Sequence, residues 1–432
     1  MNVLSTVNRQ SFVSLRRSLS TFDVLIISAS IWFLGKFLRY VFPPLFELLQ
    51  ETYAVSTTTL GWTFSAFLFA YAVVQFPTGL FCDKFGTVWV ITTGVVVSSI
   101  GALVLIADAP FVVFIVLMIV MGVGTGVHKT AAVQLLSKTY PAHKGRVLGI
   151  FDTFGTFGGV VAPVAVAVAA SIPGTRPGWR VLLFGTGIVG LCFTAIFLIR
   201  VPDKVRANMN ETVDQQISPA ESEPGPPTEP TAEQVTADPD WRSYSQLFSS
   251  QRFSIFVIAS VCFSFTYQGF VYFLPLYLIQ EAGLTSATAG TLYSVLFIAS
   301  ISQVVAGEAG DRIGTLPVII GALGLATVST VIFILGTGAG VYVLGLATLS
   351  IGLGAHSFRP VRGAYLMESL PDNLSAGGFG IVRTLLMGSG AVAPGIVGTV
   401  SDAFGFRPAF WILAVSIGIA TVLSISLLYW DV

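Results

Sequence analysis

The chain has 432 residues, of which 54% are apolar and 10% are charged, and its 22 basic and 22 acidic side chains leave no net charge. Because a soluble domain of average composition carries about a quarter of its residues as charges, this composition excludes an ordinary soluble protein. The balance of charge gives no support to a nucleic-acid partner. The three cysteines are far apart and form no Cys/His cluster, so neither a disulfide framework nor a metal site is expected.

Apolar segments recur along the chain in two sets of six. Their lengths approach the roughly 20 residues that cross a hydrocarbon core about 30 Å thick. The predicted spans 1 to 6 are 23–47, 57–80, 88–107, 111–136, 146–170 and 179–199, and spans 7 to 12 are 253–279, 287–306, 316–336, 340–366, 377–400 and 408–429. The sequence therefore predicts an all-α membrane protein with twelve transmembrane helices in two six-helix bundles.

The polar segments complete the domain organisation. Residues 1–22 are predicted to be a cytoplasmic N-terminal segment, 23–199 and 251–432 the two bundles, and 200–250 a linker. Prolines and acidic residues dominate the linker, which has few large apolar residues, so we expect it to be disordered. Lys and Arg are concentrated on the side of the linker, which predicts a multi-pass plasma-membrane protein with both termini in the cytoplasm.

The two sets of spans repeat each other at an offset of about 230 residues. Gly122-Val123-Gly124 returns as Gly352-Leu353-Gly354, and Ala162-Pro163 returns as Ala393-Pro394. After the second span of each half, the pattern Gly-x-x-x-Asp-(Lys/Arg)-x-Gly occurs as Gly79, Asp83, Lys84 and Gly86, and again as Gly307, Asp311, Arg312 and Gly314. The two bundles are therefore predicted to be pseudo-symmetric.

On these motifs the chain resembles the major facilitator superfamily, over everything except the extreme N-terminus and the linker. The resemblance implies a transporter in which one half rocks against the other around a central site, and not an enzyme. It also implies a gating role for Asp83, Lys84, Asp311 and Arg312 of the repeated motif. In this role Asp83 contacts span 11 and Asp311 contacts span 5 to hold the cytoplasmic side shut. The family's basic pair after the final glycine is replaced here by Thr87-Val88 and Thr315-Leu316.

Charged side chains inside the predicted spans are the candidate site residues, because a charge in a membrane is costly and usually functional. In span 1, Lys36 and Arg39 lie three residues apart on one helical face with Tyr40 alongside. We interpret these three as contacts for an anionic substrate. The alternative is a lysine and an arginine whose long side chains reach the outer interface.

Two further cations occupy equivalent positions in the repeat. Lys129 follows His128 in span 4, and Arg359 follows His356 in span 10. A pair of cations on facing halves is suited to binding a carboxylate, for which Arg provides a bidentate fork. We therefore predict substrate contacts at Lys129, Arg359 and His356, although pairing with interfacial acids or lipid explains the cations nearly as well.

Asp152 is the single acid well inside a predicted span, and the repeat places Arg383 at the equivalent position. With His128, which could titrate near neutral pH, these two residues are the candidates for coupling or gating. Asp152 could carry a proton or another cation, or it could be a structural partner of a basic residue.

Taken together, these residues predict a secondary transporter of a small organic anion that is coupled to a proton or sodium ion. Its expected partners are the small-molecule substrate and the lipid bilayer, with no cofactor, metal, nucleic acid or nucleotide, since no nucleotide-binding motif is present. The alternatives are efflux of an amphipathic drug into a pocket lined by Phe33, Phe265, Tyr267 and Tyr272, and a non-transporting membrane sensor with the same fold.

Overall fold

The computed structural model describes residues 22–172, 177–217, 247–370 and 375–430. Within these ranges the protein is helical and contains no strand, and twelve of its helices are long and apolar enough to cross a membrane. This confirms the predicted fold class. The predicted N-terminal segment lies outside the described residues up to residue 21.

The observed helices extend several of the predicted spans at their ends. Those of the first half are Asp23–Tyr40 with Phe46–Tyr53 (span 1), Thr57–Phe85 (span 2), Thr87–Val104 (span 3), Phe111–Thr139 (span 4), Lys144–Ser171 (span 5) and Gly178–Ile217 (span 6). Those of the second half are Gln251–Gln280 (span 7), Ser286–Ile298 with Ser302–Ile313 (span 8), Thr315–Leu335 (span 9), Val341–Glu368 (span 10), Ser375–Phe404 (span 11) and Phe406–Ser426 (span 12).

Matching residues of the repeat begin and end matching helices. Ser56 caps span 2 by accepting a hydrogen bond from the backbone of Thr59, and Thr285 caps span 8 in the same way. The final glycines of the repeated motif, Gly86 and Gly314, have φ angles of 83° and 91°. Because only glycine adopts this conformation without strain, these two positions separate spans 2 and 3, and spans 8 and 9, with a single residue.

The structure differs from the prediction where the linker was expected to begin. Span 6 continues as a helix through Pro202 to Ile217, whereas disorder was predicted from residue 200. The prolines that supported that prediction begin at Pro219, and residues 203–217 contain neither proline nor glycine. Helix formers in this stretch therefore prolong the helix. Residues 218–246 of the predicted linker lie outside the described residues.

Helix pairs within each half and across the halves form the bundle. Span 1 packs on span 5 and span 2 on span 4, while spans 7 and 10 pack on spans 11 and 9, respectively. Between the halves, span 2 contacts span 11 and span 5 contacts span 8. We call the side on which span 6 ends and span 7 begins the linker side, and the opposite side, where spans 1 and 2 are joined, the far side.

Candidate functional site

Spans 2 and 11 close the boundary between the halves on the far side, a contact that we call the far-side seam. A Cβ atom at Gly61 would lie 2.3 Å from the carbonyl oxygen of Pro394, so the close approach of the helices requires glycine there. The backbone N–H groups of Thr57 and Thr58 donate to the carboxylate of Asp402, at 3.2 and 2.7 Å. Both the steric fit and these hydrogen bonds join the two halves.

Spans 5 and 8 make the second contact between the halves. The hydroxyl of Ser294 donates to the backbone oxygen of Val160 at 2.8 Å. A Cβ atom at Gly159 would lie 2.7 Å from the ring of Phe297. This contact and the far-side seam together separate the centre of the bundle from the far side.

A cavity of about 710 Å³ lies between the halves and reaches the linker side. Its walls include residues near the linker-side ends of spans 5, 10 and 11, such as Gly149, Gly363 and Val382, and residues near the middle of span 1. Its charged and polar lining residues are Lys36, Arg39, Tyr71, Lys129, Asp152, Thr153, Thr156, Ser264, Tyr267, Gln268, Gln303, Arg359, Arg362 and Arg383. Because the far side is closed, the described state is open on the linker side alone.

Among the described residues that line the cavity, one ion pair is found. The ammonium group of Lys129 contacts the carboxylate of Asp152, to which the indole N–H of Trp32 also donates at 3.3 Å. The same ammonium lies over the ring of Trp32, 4.9 Å from its centroid. The only carboxylate among the described lining residues is thus already engaged by a cation and an indole.

Neutral groups hold the four guanidinium groups of the cavity. Arg39 donates through Nε to the hydroxyl of Tyr272 at 2.8 Å, and Arg383 donates to the side-chain oxygen of Gln75 at 2.7 Å. Arg359 lies 4.1 Å from the ring centroid of Tyr267, and Arg362 lies 5.6 Å from that of Phe358. Lys36 lies over the rings of Trp32 and Tyr40 at 5.1 and 5.5 Å. None of these five cations has a carboxylate partner among the described residues.

Six of the predicted site residues come together in this cavity: Lys36, Arg39, Lys129, Asp152, Arg359 and Arg383. Three others lie behind its wall. Tyr40 is buried against Phe297, and His128 is buried with its Nε2 3.2 Å from the backbone oxygen of Ser28. His356 is fully buried beside Tyr267. Tyr40 and His356 therefore cannot make the predicted direct contacts with a substrate in this state. His128 is likewise inaccessible to solvent.

The residues of the repeated motif lie at the linker-side surface. Asp83 accepts a hydrogen bond from the side chain of Gln134 in span 4 at 3.0 Å, and Arg312 donates to Glu308 at 2.5 Å. Lys84 and Asp311 are exposed. The predicted contacts of the motif with spans 11 and 5 are not seen among the described residues, because the halves are apart on this side.

Several cavity residues were missed or left out of the predicted site. Arg362 follows Arg359 by three residues and so shares its helical face, a spacing that the sequence displays. Gln75 and Gln303 also line or contact the cavity, and they are equivalent in the repeat, which would have identified both. No pattern in the sequence indicates Tyr272 as the acceptor for Arg39.

Comparisons with known proteins agree with the fold. Solved structures similar to this one include a D-xylose-proton symporter, with a TM-score of 0.75 and 17% identity over 93% of this chain and 97% of that one. Another is a bacterial homolog of the human lysosomal transporter Spinster in an inward-facing, occupied conformation, with a TM-score of 0.73 and 15% identity over 95% and 97%.

Relatives in sequence are distant. A "Probable sulfoacetate transporter" of Cupriavidus necator is 26% identical over 62% of this chain, a match that spans only 57% of that protein. The D-galactonate transporter of Escherichia coli is 22% identical over 89% of this chain and 90% of its own length. The family model of the Major Facilitator Superfamily matches residues 28–301 and 296–431. The chain therefore belongs to the Major Facilitator Superfamily.

Proposed function

We propose that this protein is a secondary active transporter that carries a small organic anion with a carboxylate group by alternating access. The observation that carries the proposal is the charge of the cavity. Six cations and one acid line it among the described residues, and the acid is paired with Lys129. A cavity with this surplus of positive charge favours an anion over a cation or a neutral compound.

The internal repeat indicates where the anion binds. In the first half, Lys129 and Asp152 form an ion pair. Their equivalents in the second half are Arg359 and Arg383, so a second cation stands where the repeat would place the carboxylate. We propose that the carboxylate of the substrate supplies the negative charge that the second half lacks.

The chemistry of the lining fits a carboxylate with a polar body. Guanidinium groups bind carboxylates through two parallel hydrogen bonds, and Arg359, Arg362 and Arg383 provide three of them. Gln268, Gln303 and Thr156 add neutral donors and acceptors that could bind hydroxyl groups of the substrate. The rings of Trp32 and Tyr267 complete the wall.

The names of several relatives support this substrate class. Sulfoacetate, hexuronate and D-galactonate, for which three similar transporters are named, are all organic acids that carry a carboxylate. A further relative is named an arabinose-proton symporter, whose sugar is neutral. The cavity charge of this chain agrees with the first group. Coupling to a proton or sodium ion through Asp152, and a plasma-membrane location with the linker side in the cytoplasm, stay predictions.

Uptake of labelled compounds into proteoliposomes tests the proposal. The panel contains sulfoacetate, glucuronate, D-galactonate and a lipophilic cation, with the wild type compared with Arg359→Gln and Arg383→Gln. We expect uptake of at least one acid and its loss in both variants. The control, Arg200→Gln, removes an exposed cation outside the cavity and should preserve uptake. Movement of the lipophilic cation alone, unaffected by the cavity variants, would instead favour efflux of amphipathic compounds.

A further inference from the structure

We infer that this transporter is an exchanger, in which a counter-anion of the same chemical class as the substrate occupies the cavity on its return across the membrane. Without a bound anion, the protein would switch only slowly between the states in which the cavity opens to opposite sides of the membrane. The inference rests on the proposed function, because it concerns the same cavity and the same class of organic anion. In this mechanism, transport of the substrate is coupled to the return of a second anion instead of to a proton or sodium ion.

The first step is the charge that the empty cavity must bury. In the described state the cavity is open on the linker side, where water can hydrate its cations. Alternating access requires an intermediate in which both sides are closed. Six cations and one acid would then be enclosed away from bulk water. Enclosing uncompensated charge in this way is strongly unfavourable, whereas a bound anion reduces the cost.

The second step is that the protein cannot remove this charge by itself. Four of the six cations are arginines, and a guanidinium group does not lose its proton in proteins. The hydroxyl of Tyr272 and the amide oxygen of Gln75 accept hydrogen bonds from two of these arginines without cancelling their charge. The aromatic ring of Tyr267 faces the guanidinium of Arg359 in a cation–π contact, which also leaves its charge in place. These neutral partners position the guanidinium groups and leave the positive charge, with further N–H donors, for a ligand.

The third step is the lack of an available acid that could bring a coupling cation. Asp152 is the single carboxylate among the described lining residues, and it is bound by Lys129 and Trp32. His128 and His356 are buried behind the wall and do not line the cavity. A proton or sodium ion would also add to the positive charge already present. A bound anion is therefore the ligand that lowers the cost of closing the cavity, whichever side of the membrane the cavity was open to.

Exchange is tested in proteoliposomes that contain the purified full chain. Uptake of labelled D-galactonate, glucuronate or sulfoacetate is measured into vesicles loaded with the same unlabelled acid and into empty ones, with the membrane potential held at zero. We expect initial uptake into loaded vesicles to be faster by about tenfold or more, since each 1.4 kcal/mol in a barrier is tenfold in rate. Equal rates would overturn the inference while leaving the proposed function intact.

A pH gradient gives a second outcome that separates the two ideas. If a gradient alone drives accumulation into empty vesicles, and Asp152→Asn abolishes it, the transporter is a proton symporter and the inference fails. If none of the three acids enters either kind of vesicle, the proposed function fails and the inference with it.

A variant that adds a negative charge to the cavity tests the cause directly. Gln75→Glu places a carboxylate beside Arg383 and lowers the positive charge of the cavity. We expect it to reduce the ratio of exchange to net uptake several-fold, because the empty cavity would close more easily. The matched control is Gln251→Glu, the same change at the exposed start of span 7. An unchanged ratio in Gln75→Glu, with anion binding retained, would contradict the inference.

Discussion

Asp402, near the end of span 11, accepts a hydrogen bond from the backbone N–H of Thr58, at the start of span 2, at 2.7 Å. The contact crosses the boundary between the halves and places a carboxylate at the N-terminus of a helix, where the dipole favours negative charge. The side chain thus acts as an N-cap supplied by the opposite half. It stabilises the far-side seam in the same way as the repeated motif was expected to stabilise the linker side.

Asp402→Asn should weaken the far-side seam. The amide keeps one acceptor oxygen but loses the charge and the second of the two hydrogen bonds. We expect this to cost about 1 kcal/mol, or a change of about fivefold in the ratio of far-side-closed to far-side-open protein. The measurement is the distance between spin labels at Val112 and Tyr342, two exposed positions on the far side of opposite halves, in a cysteine-free background. In the variant, a larger fraction of the protein should show the longer distances between labels that report an open far side.

Asp108→Asn is the control for that variant. Asp108 is an exposed far-side carboxylate that pairs with Arg180 within the first half, at 2.8 Å. Its loss should leave the distance distribution unchanged. If both variants, or neither, change the distribution, Asp402 has no special part in closing the far side.

Gly61→Ala should separate spans 2 and 11 on the far side. The added Cβ would lie 2.3 Å from the backbone oxygen of Pro394, which cannot move without moving the helix. Overpacking of this kind costs about 1–3 kcal/mol, so the described state should lose population and thermal stability. Gly321→Ala, where no atom lies within 4 Å of the added Cβ, should affect neither property. A wild-type melting temperature for Gly61→Ala would show that the seam is looser than described.

The Lys129 and Asp152 ion pair can be tested by a double-mutant cycle. Lys129→Met and Asp152→Asn should each lower the melting temperature, because each leaves one charge unpaired. The double variant should be more stable than the sum of the single effects predicts, by about 1 kcal/mol, since it leaves neither charge. Strict additivity in thermal unfolding would mean that the two charges do not interact appreciably.

Tyr272→Phe should weaken the position of Arg39. The substitution removes the hydroxyl that accepts from Nε at 2.8 Å in a buried site, and a hydrogen bond to a charged group contributes about 1.5–3 kcal/mol. We expect a lower melting temperature and weaker anion binding, measured by calorimetry with the transported acid. Tyr342→Phe makes the same change at an exposed position and should behave as the wild type. Equal behaviour of the two variants would exclude a role for this hydroxyl.

Much of the fold could be predicted from the sequence because the membrane imposes simple rules. Length and hydropathy located all twelve spans. The repeat placed Gly86 and Gly314 at equivalent positions, and the two glycines have similar φ angles in the structure. The extension of span 6 to Ile217 was missed, because proline content was averaged over a stretch whose first part contains only Pro202. The break in span 1 around Pro43, where the chain forms a short 3-10 helix, was also left inside a continuous span.

Part of the candidate site could be read from the sequence. Charged residues in a membrane usually face the bundle interior, and Lys36, Arg39 and Arg359 do line one cavity; their contact with substrate stays a prediction. The direction of a side chain within a span is harder to predict, and His128 and His356 prove to be buried behind the wall. Contacts between halves were not predictable, because the pairing of Arg39 with Tyr272 depends on how two distant spans meet.

The composition of the far-side seam also bears on how fast it can part. Small residues and backbone atoms form much of the contact: Gly61 meets Pro394 and Gly398, and the hydroxyl of Ser65 accepts from the backbone of Gly395. These small residues let the two backbones come close, but opening must also lift the ring of Trp62 from Gly395 and that of Phe64 from Tyr272. The activation barrier for opening therefore includes this aromatic packing as well as the hydrogen bonds, and the rate of switching should respond to changes in either.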